Sequence, residues 1–218
     1  RVDAVSVATP SINHAETGTF LLENGVHCLI EKPLAVTEAD CLRLIDAAER
    51  NGVVLLVGHV EHFNPAIRQL LEMFSDKQKI YAIDARRMSS ASARIKDVDV
   101  VMDLMVHDLD IVLALLGTTV TDLSTVGIQK LGDSGSDYVS ASLSFSGETV
   151  ATLTASRITE KRIRELLISS EIGCVSVDYS AQTIAVHHQK RPEQMTSHGG
   201  YVFDLSTDAV LVRASEPL

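Results

Sequence analysis

Three short apolar runs near the start of the chain, residues 5–8, 26–30 and 53–57, constrain its fold most strongly. Such continuous runs suit strands buried on both faces, as in a parallel sheet. The stretches between them carry helix punctuation. Pro10 closes the first run, Ser11 or Asn13 can cap a helix running through Leu22, and Asn24-Gly25 ends it. Thr37 and Asp40 resemble a capping box with Asp in place of Glu, ahead of Leu42, Leu44, Ile45 and Ala48. Asn51-Gly52 stops that helix. The order strand, helix, strand, helix, strand predicts a parallel sheet covered by helices on its faces. In such sheets ligands bind at the carboxyl ends of the strands. Those ends are Thr9-Pro10, Glu31-Lys32-Pro33 and Gly58-His59.

The texture changes after residue 60. Residues 65–73 read as a helix, 80–87 as a strand and 98–116 as a long apolar helix ending at Gly117. Val139, Ala141, Leu143 and Phe145 then alternate with Ser140, Ser142 and Ser144. Further strands are expected over residues 149–155, 166–169, 174–179 and 183–188, and a mobile loop over 189–200. The expected class is α/β, with a boundary near residue 60. The second part, 61–218, is an α+β domain with a large, mainly antiparallel, open-faced sheet.

Formal net charge is −10, which repels phosphate backbones and argues against nucleic acid as a partner. No apolar run approaches the ~18 residues of a membrane span, so no membrane role is expected. Cys28, Cys41 and Cys174 are scattered in apolar contexts, which predicts buried free thiols in a reducing cytoplasm. The chain opens without Met and already inside a strand, so it reads as a fragment.

Three constellations could carry chemistry. Pro33 holds Lys32 extended at a strand tip, where an amine in a partly dry cleft can exchange hydrogen bonds with a hydroxyl. An ordinary surface Glu-Lys pair is the competing reading. Asp103 and His107 stand four apart on the long helix, with Asp99 and Asp110 extending the stripe. The carboxylate can orient the ring, stabilise its protonated form and make a general base, unless the stripe merely faces solvent. Third come the arginines Arg86, Arg87, Arg94, Arg157, Arg162 and Arg164. Guanidinium forks suit phosphates. Scattered surface charge is the safer reading for Arg162 and Arg164, less so for Arg94 and Arg157. No familiar zinc spacing is present, so no metal is expected, and there is no G-x-G-x-x-G.

Ala8-Thr9-Pro10, then His14, then Glu31-Lys32-Pro33-Leu34, then Asp103 and His107 resemble the glucose–fructose oxidoreductase and inositol dehydrogenase family along nearly the whole chain. The resemblance implies that residues 1–60 are part of a Rossmann dinucleotide-binding domain. It implies a substrate domain whose open sheet forms a homo-dimer or homo-tetramer interface. It also implies NAD or NADP as cofactor, with Lys32, Asp103 and His107 catalytic, and Thr9, Pro10, His14, Glu31, Lys32 and His59 along the cofactor. A finer likeness, to the branch that oxidises the 3-hydroxyl of UDP-N-acetylglucosamine or its uronic acid, is carried by three segments. These are Gly58 through Ala66, where arginine is more usual than His62, Arg94 through Val98 followed by Asp103 through Asp108, and Ala155-Ser156-Arg157. It implies a sugar or nucleotide-sugar substrate bound by Asn64, Arg94 and Arg157. The family's opening strand and glycine-rich turn are missing, so this polypeptide alone is expected to bind cofactor poorly. A non-catalytic interaction module with the serine-rich sheet face as a dimer surface, another sugar dehydrogenase and a metal-dependent hydrolase stay open as alternatives.

Overall fold

The parallel runs fold as their punctuation requires. The structure, a computed structural model, describes residues 2–76, 78–91, 98–132, 135–189, 205–213 and 215–216. Strands β1 (Ala4–Val7), β2 (His27–Glu31) and β3 (Leu55–Gly58) form a parallel sheet in the order β1-β2-β3. Helices α1 (His14–Glu23) and α2 (Glu38–Asn51) connect them. Thr37 caps α2 by accepting from the Asp40 N–H at 3.2 Å, and its hydroxyl donates to the Asp40 carboxylate at 2.8 Å. Gly52 ends α2 at φ 62°, a left-handed conformation that costs glycine little. A 3₁₀ turn at Ser11–Asn13 leads into α1 without a side-chain cap, so the cap expected from Ser11 or Asn13 does not form.

Helices on both faces of this sheet were the expectation, but the described helices cover one. Consecutive parallel crossovers are right-handed. With the strands in sequential order, α1 and α2 therefore fall on the same side. Their core holds Val7, Leu22, Cys28, Ile30, Leu44 and Ala47. On the opposite face Leu29, Val54 and Leu56 are exposed.

The remaining strands form one eight-stranded sheet in the order β11-β10-β9-β8-β4-β7-β6-β5. They are β4 (Ile80–Met88), β5 (Val120–Ile128), β6 (Tyr138–Phe145), β7 (Thr149–Ser156), β8 (Ile163–Ser170), β9 (Gly173–Asp178), β10 (Thr183–Gln189) and β11 (Leu205–Val210). All neighbours are antiparallel except β4 and β7, which run parallel. Helices α3 (Pro65–Met73) and α4 (Val106–Leu116) pack on one face, over Ile83, Ala85, Leu153, Leu166 and Ile168. The long helix expected over 98–116 begins instead with a π-helical turn, Val101–Met105. Strands β5 and β11 escaped the pattern reading because neither shows alternating burial. The loop expected over 189–200 lies outside the described residues apart from Gln189, which ends β10.

All three cysteines are free. Cys28 is buried, and burial raises its thiol pKa, but Cys41 and Cys174 are only partly buried. No helix among the described residues is long and apolar enough to cross a membrane.

Candidate functional site

The tip of β2 meets the π-turn. Lys32 Nζ donates to the Asp103 carbonyl at 2.6 Å and to Asp103 Oδ1 at 3.2 Å. Asp103 is 8% exposed, so this carboxylate is withheld from bulk water. The Lys32–Pro33 peptide is cis. π-turns form i→i+5 hydrogen bonds and recur at functional sites. Here the Val106 N–H reaches the Val101 carbonyl. Asp99 Oδ1 caps the turn by accepting from the Val101 and Met102 N–H groups.

The π-turn overturns the expected pairing along the helix. An i,i+4 stripe presumes 3.6 residues per turn, and a wider turn shifts the phase. Asp103 has its bonds with Lys32, and no hydrogen bond joins it to His107. His107 is therefore not oriented by Asp103, nor is its protonated form favoured. Burial first, then the charges of Arg87, Lys32, Arg164 and His59, push its pKa down to about 2. The ring is neutral at ordinary pH, and its buried Nδ1 has no hydrogen-bond partner. Lys32 is among the charges that depress His107, and its bonds with Asp103 join the strand tip to the start of this helix.

Asp110, one turn further on, faces two histidines. His62 Nε2 lies 2.8 Å and His59 Nδ1 3.6 Å from Asp110 Oδ2. Neither contact has hydrogen-bond geometry, and His59 Nδ1 and Asp110 Oδ2 both stay unpartnered. Gly58 lets the tips of β2 and β3 approach: a Cβ there would stand 3.0 Å from Glu31 Oε2 and 3.2 Å from Glu31 Cα. Thr9 and Pro10 are exposed at the end of β1. Among the described residues no group of three or more His, Cys, Asp or Glu side chains is arranged to hold a metal ion.

Behind the cleft lies a buried ion cluster that the sequence reading missed. Arg87 on β4 is 2% exposed. Its Nε and Nη2 donate to Asp108 at 2.9 Å each, and its Nη1 donates to Glu61 Oε1 at 2.7 Å. The Tyr179 ring lies under the guanidinium, 4.8 Å from its carbon. Burial opposes the Arg87 charge, but the Asp108 and Glu61 carboxylates outweigh it and raise the pKa. The signal was present in the sequence. A period of two over residues 83–87 puts Arg87 on the same face as Ile83 and Ala85, both buried.

Several expected ligand-binding residues instead serve the fold. The Asn64 side chain is 3% exposed and fully engaged: Oδ1 caps α3 at the Ala66 N–H, and Nδ2 donates to Glu61 and to the Tyr179 carbonyl. Arg157 is 7% exposed and reaches Asp137 Oδ1 at 2.7 Å, the Val98 carbonyl at 3.0 Å and the Ser136 carbonyl at 3.3 Å. It thereby ties the lead-in of the π-turn to β6 and β7. His14 is 1% exposed, its two ring nitrogens 2.8 Å from the Pro33 carbonyl and 2.9 Å from that of Thr9. It braces two strand ends and presents no free nitrogen to a ligand. Buried polar groups must find partners, and these three find them inside the protein. Arg94 lies outside the described residues.

Comparison with known proteins agrees with this architecture. Residues 1–59 match the oxidoreductase family profile for the NAD-binding Rossmann fold, and residues 81–176 match the GFO/IDH/MocA C-terminal domain. The UDP-N-acetylglucosamine 3-dehydrogenase of Acidithiobacillus ferrooxidans is 35% identical over 188 residues, which cover 86% of this chain and 59% of that enzyme. A solved structure of the enzyme superposes with a TM-score of 0.86 at 31% identity, covering 99% of this chain and 66% of the other. Myo-inositol dehydrogenase Hyg17 of Streptomyces leeuwenhoekii is 32% identical over 71% of this chain and 51% of its own. The WlbA dehydrogenase of Bordetella pertussis, solved with NADH and UDP-GlcNAcA, has a TM-score of 0.76 over 81% of this chain and 56% of its own. At 21% identity it bears on the fold alone. The chain thus spans between half and two thirds of the length of these relatives.

Proposed function

The chain belongs to the GFO/IDH/MocA family of oxidoreductases, and on that premise we propose that it is the catalytic portion of an NAD(P)-dependent sugar dehydrogenase acting on a UDP-N-acetyl-hexosamine. The observation that carries the reading is the contact of Lys32 Nζ with Asp103, beside a neutral His107 whose Nδ1 is unpartnered. A base, a cation and a fixed carboxylate in one cleft are what alcohol oxidation asks of a protein.

The strand tips fit a nicotinamide group. Thr9, Pro10, Glu31, Lys32 and His59 stand at successive strand ends, and the buried Nδ1 of His59 has no hydrogen bond. When bound, the dinucleotide supplies the hydride acceptor. The protein's own part is proton handling. Asp103 fixes Lys32, whose remaining N–H is directed to the substrate oxygen and stabilises negative charge there. His107 accepts the hydroxyl proton. A substrate anion offsets the neighbouring cations and makes the ring more basic.

Residues 1–60 serve the dinucleotide and 61–218 the substrate and self-association. Tyr81, Val150 and Leu167 are exposed on the sheet face away from the helices, which supports a homo-oligomer through that face. The three free thiols support a cytoplasmic setting. Steady-state dinucleotide reduction with UDP-N-acetylglucosamine by the full-length protein tests the assignment. Lys32→Met and His107→Gln should each lower turnover by at least about 10²-fold, and near-normal turnover in both overturns it.

A further inference from the structure

Arg164 is a cation in search of an anion. It lies near the start of β8, on the sheet face that buries Leu166 and Ile168. The β4–β8 register sets it directly opposite Arg87, so two guanidinium groups share one wall. Arg87 spends its donors on Glu61 and Asp108. On the other face, Arg86 pairs with Asp84 and Glu165. Among the described residues the Arg164 side chain, although half-buried, has neither a hydrogen bond nor an ion pair. Its charge is disfavoured by burial, then by Arg87 and Arg162, and Glu61 and Asp108 only partly compensate. A guanidinium nevertheless stays charged in proteins. Arg164 also helps depress His107, so its charge is felt in the cleft.

A planar fork of donors in a partly dry site matches an oxyanion, which it can hold in bidentate fashion. Arg164 stands on the large sheet beside Arg87, whose partner Asp108 adjoins His107, whereas the strand tips assigned to the dinucleotide belong to the other sheet. We propose that Arg164 is a substrate-binding residue that takes an oxyanion of the substrate, a phosphate or a carboxylate, on the sheet side of the cleft. The word substrate rests on the dehydrogenase reading above. The site favours a phosphorylated or acidic sugar over a neutral polyol, because only the former fills it with negative charge. An anion there also shields His107 from one of the cations that depress it.

Isothermal titration of the protein with UDP and, separately, with glucuronate tests the site and tells phosphate from carboxylate. Wild-type protein should bind one of the two. Arg164→Met should weaken that probe about 10- to 100-fold, the range for a hydrogen bond to a charged group. Arg164→Lys should weaken it by a smaller factor, since a point charge lacks the fork. Arg162→Met, at an exposed neighbour, should change it by less than about twofold. Binding of neither probe by wild type, or equal affinity in wild type and Arg164→Met, overturns the proposal. Should Arg164→Met not fold, unchanged affinity in Arg164→Lys overturns it. Dinucleotide reduction by the full-length protein reads the dehydrogenase assignment separately. Arg164-dependent probe binding in a full-length protein that reduces no dinucleotide leaves the anion site standing and removes the reaction.

Discussion

Burying His107 among cations couples the stability of this protein to pH, and the sign follows from which state binds the proton. The folded ring is held at about 2, against an ordinary 6.5. Between those values the unfolded chain takes up a proton that the folded chain refuses. Stability from this residue is therefore fully present above the unfolded value and is lost progressively as pH falls toward the folded one. At about pH 5, some 1.5 units below the unfolded value, full refusal costs about 2 kcal/mol, at about 1.4 kcal/mol per unit. The ring is partly open to solvent, so screening reduces this to about 1–2 kcal/mol. His107→Asn keeps a polar side chain and removes the titration. Urea unfolding of both proteins at about pH 7.5 and about pH 5 measures the difference, and groups common to both cancel on subtraction. The variant should lose about 1–2 kcal/mol less on acidification than wild type. Equal acid losses in the two proteins would refute the claim that the fold holds this imidazole neutral.

Arg87→Met strands two buried carboxylates, Glu61 and Asp108, and should cost about 3–5 kcal/mol in urea unfolding. A loss under about 1 kcal/mol would rank the cluster with surface ion pairs. Thr37→Ala removes the cap of α2 and should cost about 1 kcal/mol, with Thr37→Asp recovering most of it by the same assay. No recovery by Asp would mean that Thr37 acts through something other than its oxygen.

What could be read from the sequence divides along a physical line. The parallel sheet was legible because its strands are continuously apolar and its helices carry local signals, as Thr37 and Gly52 do. Lys32 was legible as a candidate site residue from its position alone, since strand order places it at a carboxyl end. The partner of Asp103 was not, because helical arithmetic at 3.6 residues per turn assumes a turn that the chain does not make at Val101–Met105. Arg87 could have been found from its own strand, but its juxtaposition with Arg164 could not. That depends on a register between β4 and β8 that neither strand encodes by itself. The residues expected along the ligands, His14, Asn64 and Arg157, share one trait: the fold supplies their polar atoms with partners. His59, His107 and Arg164 show the opposite trait. His59 Nδ1 and His107 Nδ1 are buried without a hydrogen bond, and Arg164 is a half-buried cation without an anion. A buried polar group left short costs stability. His59 and Arg164 both act on the charge of His107, so these deficits are better explained by a ligand that makes them good than by the folding of the chain alone.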